Sequence, residues 1–289
     1  MLFCHKNDLT TPMMSPIIQP IELLKINPNE IILVDASAGS KARYDEKHLA
    51  GALYINLDTD LANIDDFAIG GRHPLPSPAD FAKVLGQFGI DKSSHVIIYD
   101  DKNGGNAAAR FWWMLKAIGH EKVQVLNGGF QGAVDAGYPT DAEKPIIESK
   151  TSYPVTDWQL ALADIDEVEE ASKSGSQTIV DVRDAKRFAG LTEPIDLIAG
   201  HIPGAINIPF TENLDDKGFF LTEQALKEKY LKVLAGLKSE NVIVHCGSGV
   251  TACHLLLAMD YAGLEIPKLY IGSWSEWSRN EKDMVLAEK

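Results

Sequence analysis

The chain has 289 residues, of which 45% are hydrophobic and 24% are charged, and its formal net charge is -14. This length predicts two domains, each large enough to bury a core, and the composition excludes a disordered or fibrous protein. The negative charge, with no cluster of Lys and Arg to reverse it locally, argues against a nucleic-acid partner.

The cysteines and the N-terminal segment bear on the cellular compartment. No apolar run is long enough to cross a membrane, and the N-terminal segment has neither the apolar core of a secretion signal nor an Arg-rich amphipathic pattern. The three cysteines, Cys4, Cys246 and Cys253, are an odd number without paired spacing, which fits a reducing compartment better than a disulfide framework or a zinc cage. We therefore expect a cytoplasmic protein with no membrane partner and no metal site.

The predicted elements alternate between strand and helix along the chain, and the series occurs twice. Short β-branched strands are predicted at "IILVD", "HVIIYD" and "KVQVL" in the first half and at "TIVDV", "NVIVH" and "KLYI" in the second, with helical patterns between them. Val34-Asp35 corresponds to Val180-Asp181 and His48 to His201, so the second copy has gained residues between these points. We predict an α/β protein with two tandem domains, each a mainly parallel sheet with helices on both faces.

A stretch of low periodicity separates the two copies. From Tyr138 to Trp158 the chain holds three prolines and several charges, a composition typical of a connection between domains. We predict a first domain at residues 16–140, a linker at 141–157 and a second domain at 158–289.

The second copy has a cysteine in the turn between a predicted strand and a predicted helix. Cys246 follows "NVIVH", and the helical pattern after it ends at Gly263. Ligands of open α/β sheets gather at this end of the strands. The alternative is that Cys246 is a small buried apolar residue, which is the role we expect for Cys253 one helical turn later.

The residues that follow the cysteine favour a reactive thiol. Gly247 and Gly249 permit positive φ, so the amides of the turn can curve inward into an anion-binding nest that favours a thiolate. Ser248 and Thr251 add hydroxyl donors that are expected to face the same space.

The first copy has no thiol at the corresponding turn. Its sequence there is "YDDKNGGNAAAR", with Asp100 or Asp101 at the place of the cysteine. Nucleophilic sulfur chemistry is therefore expected only in the second domain.

Several motifs point to a known family. They are "HLAGA" and "HIPGAINIP" after the first strands, "CGSGVTA" in the last third and "GSWSEW" behind it. With the tandem copies, this chain resembles the two-domain rhodanese-type sulfurtransferases. The loop "CGSGVT" is similar to that of the 3-mercaptopyruvate branch, since thiosulfate enzymes of the animal type have basic residues after the cysteine, and these suit a doubly charged donor.

The resemblance implies a double-displacement reaction. Cys246 would take a sulfane sulfur from 3-mercaptopyruvate or thiosulfate as a persulfide, and pass it to a thiol, to cyanide or to a thioredoxin-like acceptor. Neither a metal nor an organic cofactor is implied.

The resemblance also implies residues that bind the donor. Arg187 in "DAKRFAG" matches the family arginine that holds the donor's anionic group, although a surface ion pair with Asp184 or Glu193 would also account for it. The loop residues expected to contact the donor or the transferred sulfur are Gly247, Gly249, Val250 and Thr251.

In the mercaptopyruvate branch, a loop serine, a histidine and an aspartate of the first domain form a proposed proton-handling triad. They match Ser248, His73 in "RHPLPS" and Asp58 in "INLDTD", with Asp60 close enough to Asp58 to be confused with it. The chain departs from this branch at Ile195, where mercaptopyruvate enzymes typically have a second arginine after "EP". Thiosulfate, or a persulfide supplied by a partner protein, therefore stays open as the donor.

Three other functions can place a cysteine in a comparable position. A cysteine phosphatase needs an arginine six positions after the cysteine, where this chain has Ala252, and a longer loop. A Cys-His hydrolase needs an imidazole beside the thiol and a different fold, and His73 alone does not support that function. A persulfide carrier or sensing module that serves a dedicated protein partner would use the same loop, and turnover with small donors would distinguish it from an enzyme.

Overall fold

The computed structural model describes residues 14–147, 149, 153–234 and 236–287, so Cys4 lies outside the described residues. Its strands are β1 (Ile17–Ile18), β2 (Ile32–Asp35), β3 (His48–Leu49), β4 (Leu53–Tyr54), β5 (Val96–Tyr99), β6 (Val123–Leu126), β7 (Thr140–Asp141), β8 (Leu162–Ala163), β9 (Thr178–Asp181), β10 (Ile206–Asn207), β11 (Val242–His245) and β12 (Lys268–Tyr270). Its α-helices are α1 (Pro20–Leu23), α2 (Lys41–Glu46), α3 (Leu57–Asp60), α4 (Pro78–Gln87), α5 (Ala108–Ala117), α6 (Gly129–Asp135), α7 (Ile165–Ser174), α8 (Ala185–Phe188), α9 (Glu223–Val233), α10 (Ala252–Tyr261) and α11 (Ser273–Trp277). Short 3-10 helices lie at Pro28–Glu30, Phe210–Asn213 and Ser239–Asn241.

Two parallel sheets of five strands each form the centre of the two halves. The first has the order β1-β6-β5-β2-β4 and the second the order β10-β9-β11-β12-β8, and every neighbouring pair in both sheets is parallel. Counted along the chain within each half, both sheets have their strands in the same spatial sequence. The repeat in the sequence is therefore a repeat in topology, and the predicted α/β fold with two mainly parallel sheets is confirmed.

Helices cover both faces of each sheet. In the first sheet, Val34 and Ile98 belong to the core shared with α4 and α5, whereas Leu33 and Ile97 belong to the core shared with α1 and α6. This division follows from the strand geometry, since successive side chains point to opposite faces. The second sheet repeats the pattern, with α9 and α10 on one face and α7 and α11 on the other.

The two halves meet through α5 and α10, the helices that follow β5 and β11, which pack directly against each other. Nearly every residue of both helices is buried, as expected for a helix that is apolar all round. The hydrophobic core formed by α5 and α10 is continuous across the two halves. The turns that precede these helices are thereby brought to the junction between the halves.

The connection between the halves lies along the first sheet's helices. Tyr153 is buried with its hydroxyl 2.8 Å from His120 Nδ1, and the Trp158 ring packs between those of Phe81 and Trp113 at centroid distances of 5.6 and 6.1 Å. The predicted linker at 141–157 begins inside β7, which pairs antiparallel with β3. The boundaries of the two domains stay a prediction.

Within the described ranges, no helix combines the length and the apolar character that crossing a bilayer requires. The same residues contain no cluster of three or more His, Cys, Asp or Glu side chains that could hold a metal ion.

Candidate active site

Cys246 lies at the carboxyl end of β11, directly before the loop of residues 247–251 that leads into α10. Its side chain is nearly buried, with 2% of the residue exposed. The loop is held from behind by α11, because the amides of Trp274 and Ser275 donate to the carbonyl oxygens of Cys246 and Gly247 at 3.1 and 2.8 Å. The thiol is thus fixed at the sheet edge where α/β proteins bind ligands.

Ser273 ties two amides of the loop together. Its hydroxyl oxygen accepts hydrogen bonds from the amides of Cys246 and Gly249 at 3.2 and 2.9 Å, and its hydroxyl donates to the carbonyl oxygen of Tyr270 at 2.9 Å. Ser273 is fully buried and has a φ of 54°. No motif in the sequence indicates this residue, which lies 27 positions after Cys246.

The remaining amides of the loop are unpaired. Those of Gly247, Ser248, Val250 and Thr251 make no hydrogen bond to any group in the described part of the chain. Most of these residues are buried, and a buried amide without a partner is costly unless a ligand satisfies it. This is the feature expected of a loop that binds an anion.

The corresponding turn of the first half is a loop of the same kind, and its amides have an acceptor within the loop. Asp100 follows β5 and is fully buried. Its carboxylate accepts hydrogen bonds from the amides of Lys102, Gly104, Asn106 and Ala108 at 2.8 to 3.1 Å. Burial raises the pKa of Asp100 to about 6, while the amide donors act to lower it. The side chain that follows the strand is therefore the anion held by this loop, and it is Asp100 rather than Asp101.

The two loop glycines are needed for different reasons. Gly249 has a φ of 71°, and a Cβ there would lie 2.6 Å from the carbonyl oxygen of Ile271. Gly247 does not use the positive φ that a glycine permits, because its φ lies outside the left-handed region. A Cβ on Gly247 would instead lie 3.1 Å from Nη2 of Arg72 and 3.4 Å from Nη2 of Arg187. Gly247 therefore leaves space for two guanidinium groups.

His73 lies between Ser248 and Asp58. Its Nδ1 is 2.7 Å from Ser248 Oγ, and its Nε2 is 3.3 Å from Asp58 Oδ1. A carboxylate beside Nε2 favours the tautomer that is protonated there, so Nδ1 accepts a hydrogen bond from the Ser248 hydroxyl. Asp60 does not take this place, because its Oδ2 accepts from the amide of Asn56 at 2.8 Å.

The surroundings keep the His73 imidazole neutral. The pKa of His73 is lowered to about 4, chiefly by burial and also by the nearby charges of Arg72 and Arg110, whereas Asp58 acts in the opposite direction. At neutral pH this histidine can therefore accept a proton from Ser248, and Asp58 would stabilise the resulting imidazolium.

Arg187 is both ion-paired and close to the loop. Its guanidinium bonds to Glu193 at 2.7 and 3.2 Å and lies 3.5 Å from Asp196. The pair with Glu193 that offered an alternative role is thus present, whereas Asp184 caps the N-terminus of α8. The same guanidinium borders Gly247, so the ion pairs orient the arginine beside the loop.

Three further charged residues complete this cluster, and sequence analysis missed all of them. Asp196 is buried, and its Oδ1 accepts from Nε of Arg72 at 3.1 Å and from Nη1 of Arg279 at 3.2 Å. The sequence signal for Arg72 is its position directly before His73, a candidate site residue. The side chain of Ile195, at the position where an arginine was expected, is exposed.

The other predicted loop residues are placed differently. Val250 is buried in the core shared by the two halves. The hydroxyl of Thr251 donates to the carbonyl oxygen of Gly105 at 3.5 Å, towards the first half rather than into the space enclosed by the loop amides. Cys253 is in the core, where burial raises the pKa of its thiol to about 12.

Arg110 of α5 connects the two halves at this site. The side chain is fully buried, and its guanidinium donates to the carbonyl oxygens of Gly249 at 3.2 Å, Leu61 at 3.3 Å and His73 at 3.2 Å. One buried cation therefore holds the cysteine loop and the segment carrying His73 in fixed relation. Its position inside an apolar helix gave no signal of this role in the sequence.

The two halves repeat one α/β fold, and the cysteine loop at their junction is typical of a protein that works through a reactive thiol. The family model described as the rhodanese-like domain matches residues 21–136 and 164–280. The chain belongs to the rhodanese family and is a sulfurtransferase with two rhodanese-like domains.

Individual relatives are similar over most of the chain. A probable 3-mercaptopyruvate sulfurtransferase of Pseudomonas aeruginosa is 38% identical, with 85% of this chain and 86% of the relative covered. A thiosulfate sulfurtransferase of Gallus gallus is 35% identical, with coverages of 82% and 81%. Among solved structures, the 3-mercaptopyruvate sulfurtransferase from Leishmania major has a TM-score of 0.81 and 29% identity, with 92% of this chain and 74% of that chain covered.

Proposed function

We propose that this protein transfers a sulfane sulfur from 3-mercaptopyruvate or thiosulfate to a thiol or cyanide through a persulfide on Cys246. The observation that carries the proposal is the contrast between the two loops. Four amides after Asp100 donate to its own carboxylate, whereas four amides after Cys246 have no partner among the residues that the structure describes. An ionised sulfur at Cys246, or the outer sulfur of its persulfide, can accept those hydrogen bonds.

In the first half-reaction, the Cys246 thiolate attacks the sulfur of the donor. With 3-mercaptopyruvate, a new S–S bond forms, the C–S bond of the donor breaks, and the electron pair passes to the pyruvate enolate. The enolate takes up the proton that the donor thiol gives up, and pyruvate leaves. With thiosulfate, the S–S bond of the donor breaks and sulfite leaves with the electron pair.

We assign the proton movement to Ser248, His73 and Asp58. The Ser248 hydroxyl can take up the proton of the donor thiol while it passes its own proton to His73, and the reverse transfer then protonates the departing enolate. Asp58 orients the imidazole and stabilises its charged form. Gly247, Gly249, Val250 and Thr251 frame the reacting sulfur through the loop backbone, and Arg187 binds the anionic group of the donor.

In the second half-reaction, an acceptor thiolate or cyanide attacks the outer sulfur of the persulfide. The S–S bond breaks and the electron pair returns to Cys246. A thioredoxin-like protein would suit the thiol role, and a reducing cytoplasm, where Cys246 stays free, is the compartment we propose.

The test is to replace Cys246 by serine and to compare the variant with Cys253→Ser. We expect wild type and Cys253→Ser to gain the mass of one sulfur after donor treatment and to turn over with cyanide, and Cys246→Ser to do neither while keeping its circular dichroism spectrum. Turnover in Cys246→Ser would refute the mechanism. Labelling of Cys246 without turnover on either small donor would instead indicate a carrier that serves a protein partner.

A further inference from the structure

Arg110 of α5 is a buried cation without an anionic partner in the described part of the chain. The sequence has six arginines, and the five others form ion pairs with carboxylates: Arg43, Arg72, Arg183, Arg187 and Arg279. The guanidinium of Arg110 instead donates to three carbonyl oxygens, and no carboxylate of the described residues lies within ion-pair distance of it. Its Nε is buried and has no hydrogen-bond partner among those residues.

A guanidinium in this position needs a negative charge nearby. Burying an unpaired charge is costly, and neutral carbonyl groups offset only part of that cost. Arg110 also lies in the first turn of α5, where the positive end of the helix dipole disfavours a cation. We therefore expect Arg110 to be close to an anion that the carboxylates of the described residues do not supply.

Two thiols of the second half are the ionisable groups that act on Arg110. Nη1 of Arg110 and Sγ of Cys253 both donate to the carbonyl oxygen of Gly249, at 3.2 and 3.4 Å. Burial lowers the pKa of Arg110, and a negative charge on Cys253 or Cys246 acts to raise it. Because burial raises the pKa of Cys253 to about 12, that thiol stays protonated at neutral pH. Of the two, Cys246 is the one that can supply the anion.

The other charged or titratable side chains at the loop differ from Arg110. Arg72 and Arg187 border the loop, but both guanidinium groups are paired with carboxylates. His73 and His245 have pKa values that burial lowers from 6.5, so both imidazoles are uncharged at neutral pH. Arg110 is therefore the cation at this junction whose charge has no counterpart in the described residues.

The carboxylates around the loop are also compensated. Asp181, which lies 3.8 Å from His245 Nε2, pairs with Arg183 at 2.6 Å. Glu193 pairs with Arg183 and Arg187, and Asp196 accepts from arginines of both halves. The charge of Arg110 is thus left for the sulfur.

We propose that Arg110 is the counter-ion of the sulfur anion at Cys246, in the thiolate and in the persulfide. The inference rests on the proposed function, because it concerns the sulfur that this function uses. The loop amides donate hydrogen bonds to the anion, and Arg110 supplies a full positive charge from the first half. The half without a thiol thereby takes part in keeping the thiol of the other half ionised.

The test is the pH dependence of Cys246 labelling by iodoacetamide, an uncharged reagent whose position is read by peptide mass spectrometry. Arg110→Met removes the charge, Arg110→Gln removes the charge but keeps an N–H donor, and Arg110→Lys keeps the charge. We expect the labelling rate at pH 7 to fall roughly tenfold to a hundredfold in the two uncharged variants, because the midpoint of the profile moves up by about one to two pH units. Above both midpoints the rates should agree within about threefold, and Arg110→Lys should stay close to wild type.

Arg43→Met is the matched control. Arg43 is a partly buried arginine of the first half that contacts Asp35, Ser37 and Phe130. Its loss removes one cation from the chain without touching the cysteine loop, and the labelling profile should stay as in wild type.

A second measurement leaves Arg110 intact. Cys246→Asp places at the second loop the carboxylate that Asp100 supplies to the first, and Cys246→Asn is its uncharged isostere. We expect a higher urea midpoint at pH 7 for the aspartate variant, because Arg110 and the loop amides gain a fixed anion.

The outcomes separate a role of charge from a structural role. An unchanged midpoint of the labelling profile in Arg110→Met and Arg110→Gln would overturn the inference, even if the rate is lower at every pH. A shift in Arg110→Lys or Arg43→Met as large as that in Arg110→Met would overturn it too. If neither uncharged variant folds, a Cys246→Asn protein at least as stable as Cys246→Asp decides against it.

The proposed function is judged by a different result. Labelling with iodoacetamide needs no sulfur donor, so the role of Arg110 can be measured whether or not the protein turns over. A wild-type protein that forms no persulfide with either donor would refute the function and leave the labelling profiles as they are.

Discussion

At the position where the second half has Cys246, the first half has Asp100, and this difference accounts for the different hydrogen bonding of the two loops. Asp100 is held by four amides of its own loop. The carboxylate is part of the chain and stays in place, so the four amides of that loop have an acceptor within the protein. Cys246 has no carboxylate to accept the amides of its own loop. A negatively charged sulfur can therefore accept hydrogen bonds from those amides that have no partner in the described residues.

The neutral state of His73 gives a prediction about the pH dependence of the reaction. Because its folded-state pKa is lowered to about 4, the imidazole stays able to accept a proton until the pH falls to that value. We expect kcat/KM with 3-mercaptopyruvate to fall on the acid side near pH 4 rather than near 6.5. Asp58→Asn removes a charge that raises this pKa, so the acid limb should move to lower pH.

The measurement is the pH profile of kcat/KM for wild type, Asp58→Asn and His73→Gln. His73→Gln should lower kcat by about a hundredfold or more and lose the acid limb. An acid limb that is the same in wild type and His73→Gln would show that a different group titrates.

At the scale of elements, the cysteine loop depends on the turn into α11. Ser273 accepts two loop amides with one hydroxyl and donates to the carbonyl oxygen of Tyr270. A loop of five residues, with four amides that have no partner in the described part of the chain, needs such a tie, since few other bonds fix its backbone. Ser273 has positive φ, so this turn is strained in order to place the hydroxyl.

Replacing Ser273 by alanine tests this tie. The change leaves two buried amides without an acceptor, and we expect a loss of about 1–3 kcal/mol of unfolding free energy together with a lower rate of persulfide formation. Ser278→Ala is the control, because the buried hydroxyl of Ser278 has no hydrogen-bond partner in the described residues. Urea unfolding and single-turnover labelling measure the two effects, and equal results for both variants would contradict the role of Ser273.

The elements were the part of the molecule most open to prediction from the sequence. The central strands are continuous β-branched runs, so their positions could be read, whereas β1, β4, β8 and β10 have two residues each and are too short to show a period. The cysteine turn was predictable because glycines bracket it within a few positions. Asp196 and Arg72 were not, because they are 124 positions apart and meet only after folding.

At the scale of the whole molecule, α5 and α10 each extend a polar side chain to the loop of the other half. Arg110 of α5 reaches the cysteine loop, and His254 of α10 reaches the first loop, with its Nε2 3.3 Å from the carbonyl oxygen of Asn103. His254 is fully buried and stacks on Phe220 at 4.5 Å. Each loop is therefore supported by a polar side chain from the other half.

This arrangement predicts how stability changes with pH. Burial lowers the pKa of His254 to about 3 from an ordinary value of 6.5, so as the pH falls between these values the unfolded chain binds a proton that the folded chain does not. The stability contributed by the neutral imidazole is complete above pH 6.5 and is lost as the pH falls, at roughly 1.4 kcal/mol for each pH unit. His73, His120 and His245 act in the same direction.

Urea unfolding of wild type and His254→Gln between pH 7 and 4 checks this account. Whatever the stability of the variant at pH 7, its decline towards acid should be shallower than that of the wild type, because one titrating group is gone. Parallel curves for the two proteins would contradict it.

The shared core between α5 and α10 has a consequence for the evolution of the two halves. After a gene is duplicated, a copy that has lost its reactive residue is usually free to accumulate changes until it disappears. Here that freedom is limited, because the first half contributes Arg110 to the cysteine loop and forms the core against which the second half packs. Natural variants are therefore expected to keep Arg110 and the core residues of α5 as unchanged as the thiol and its turn.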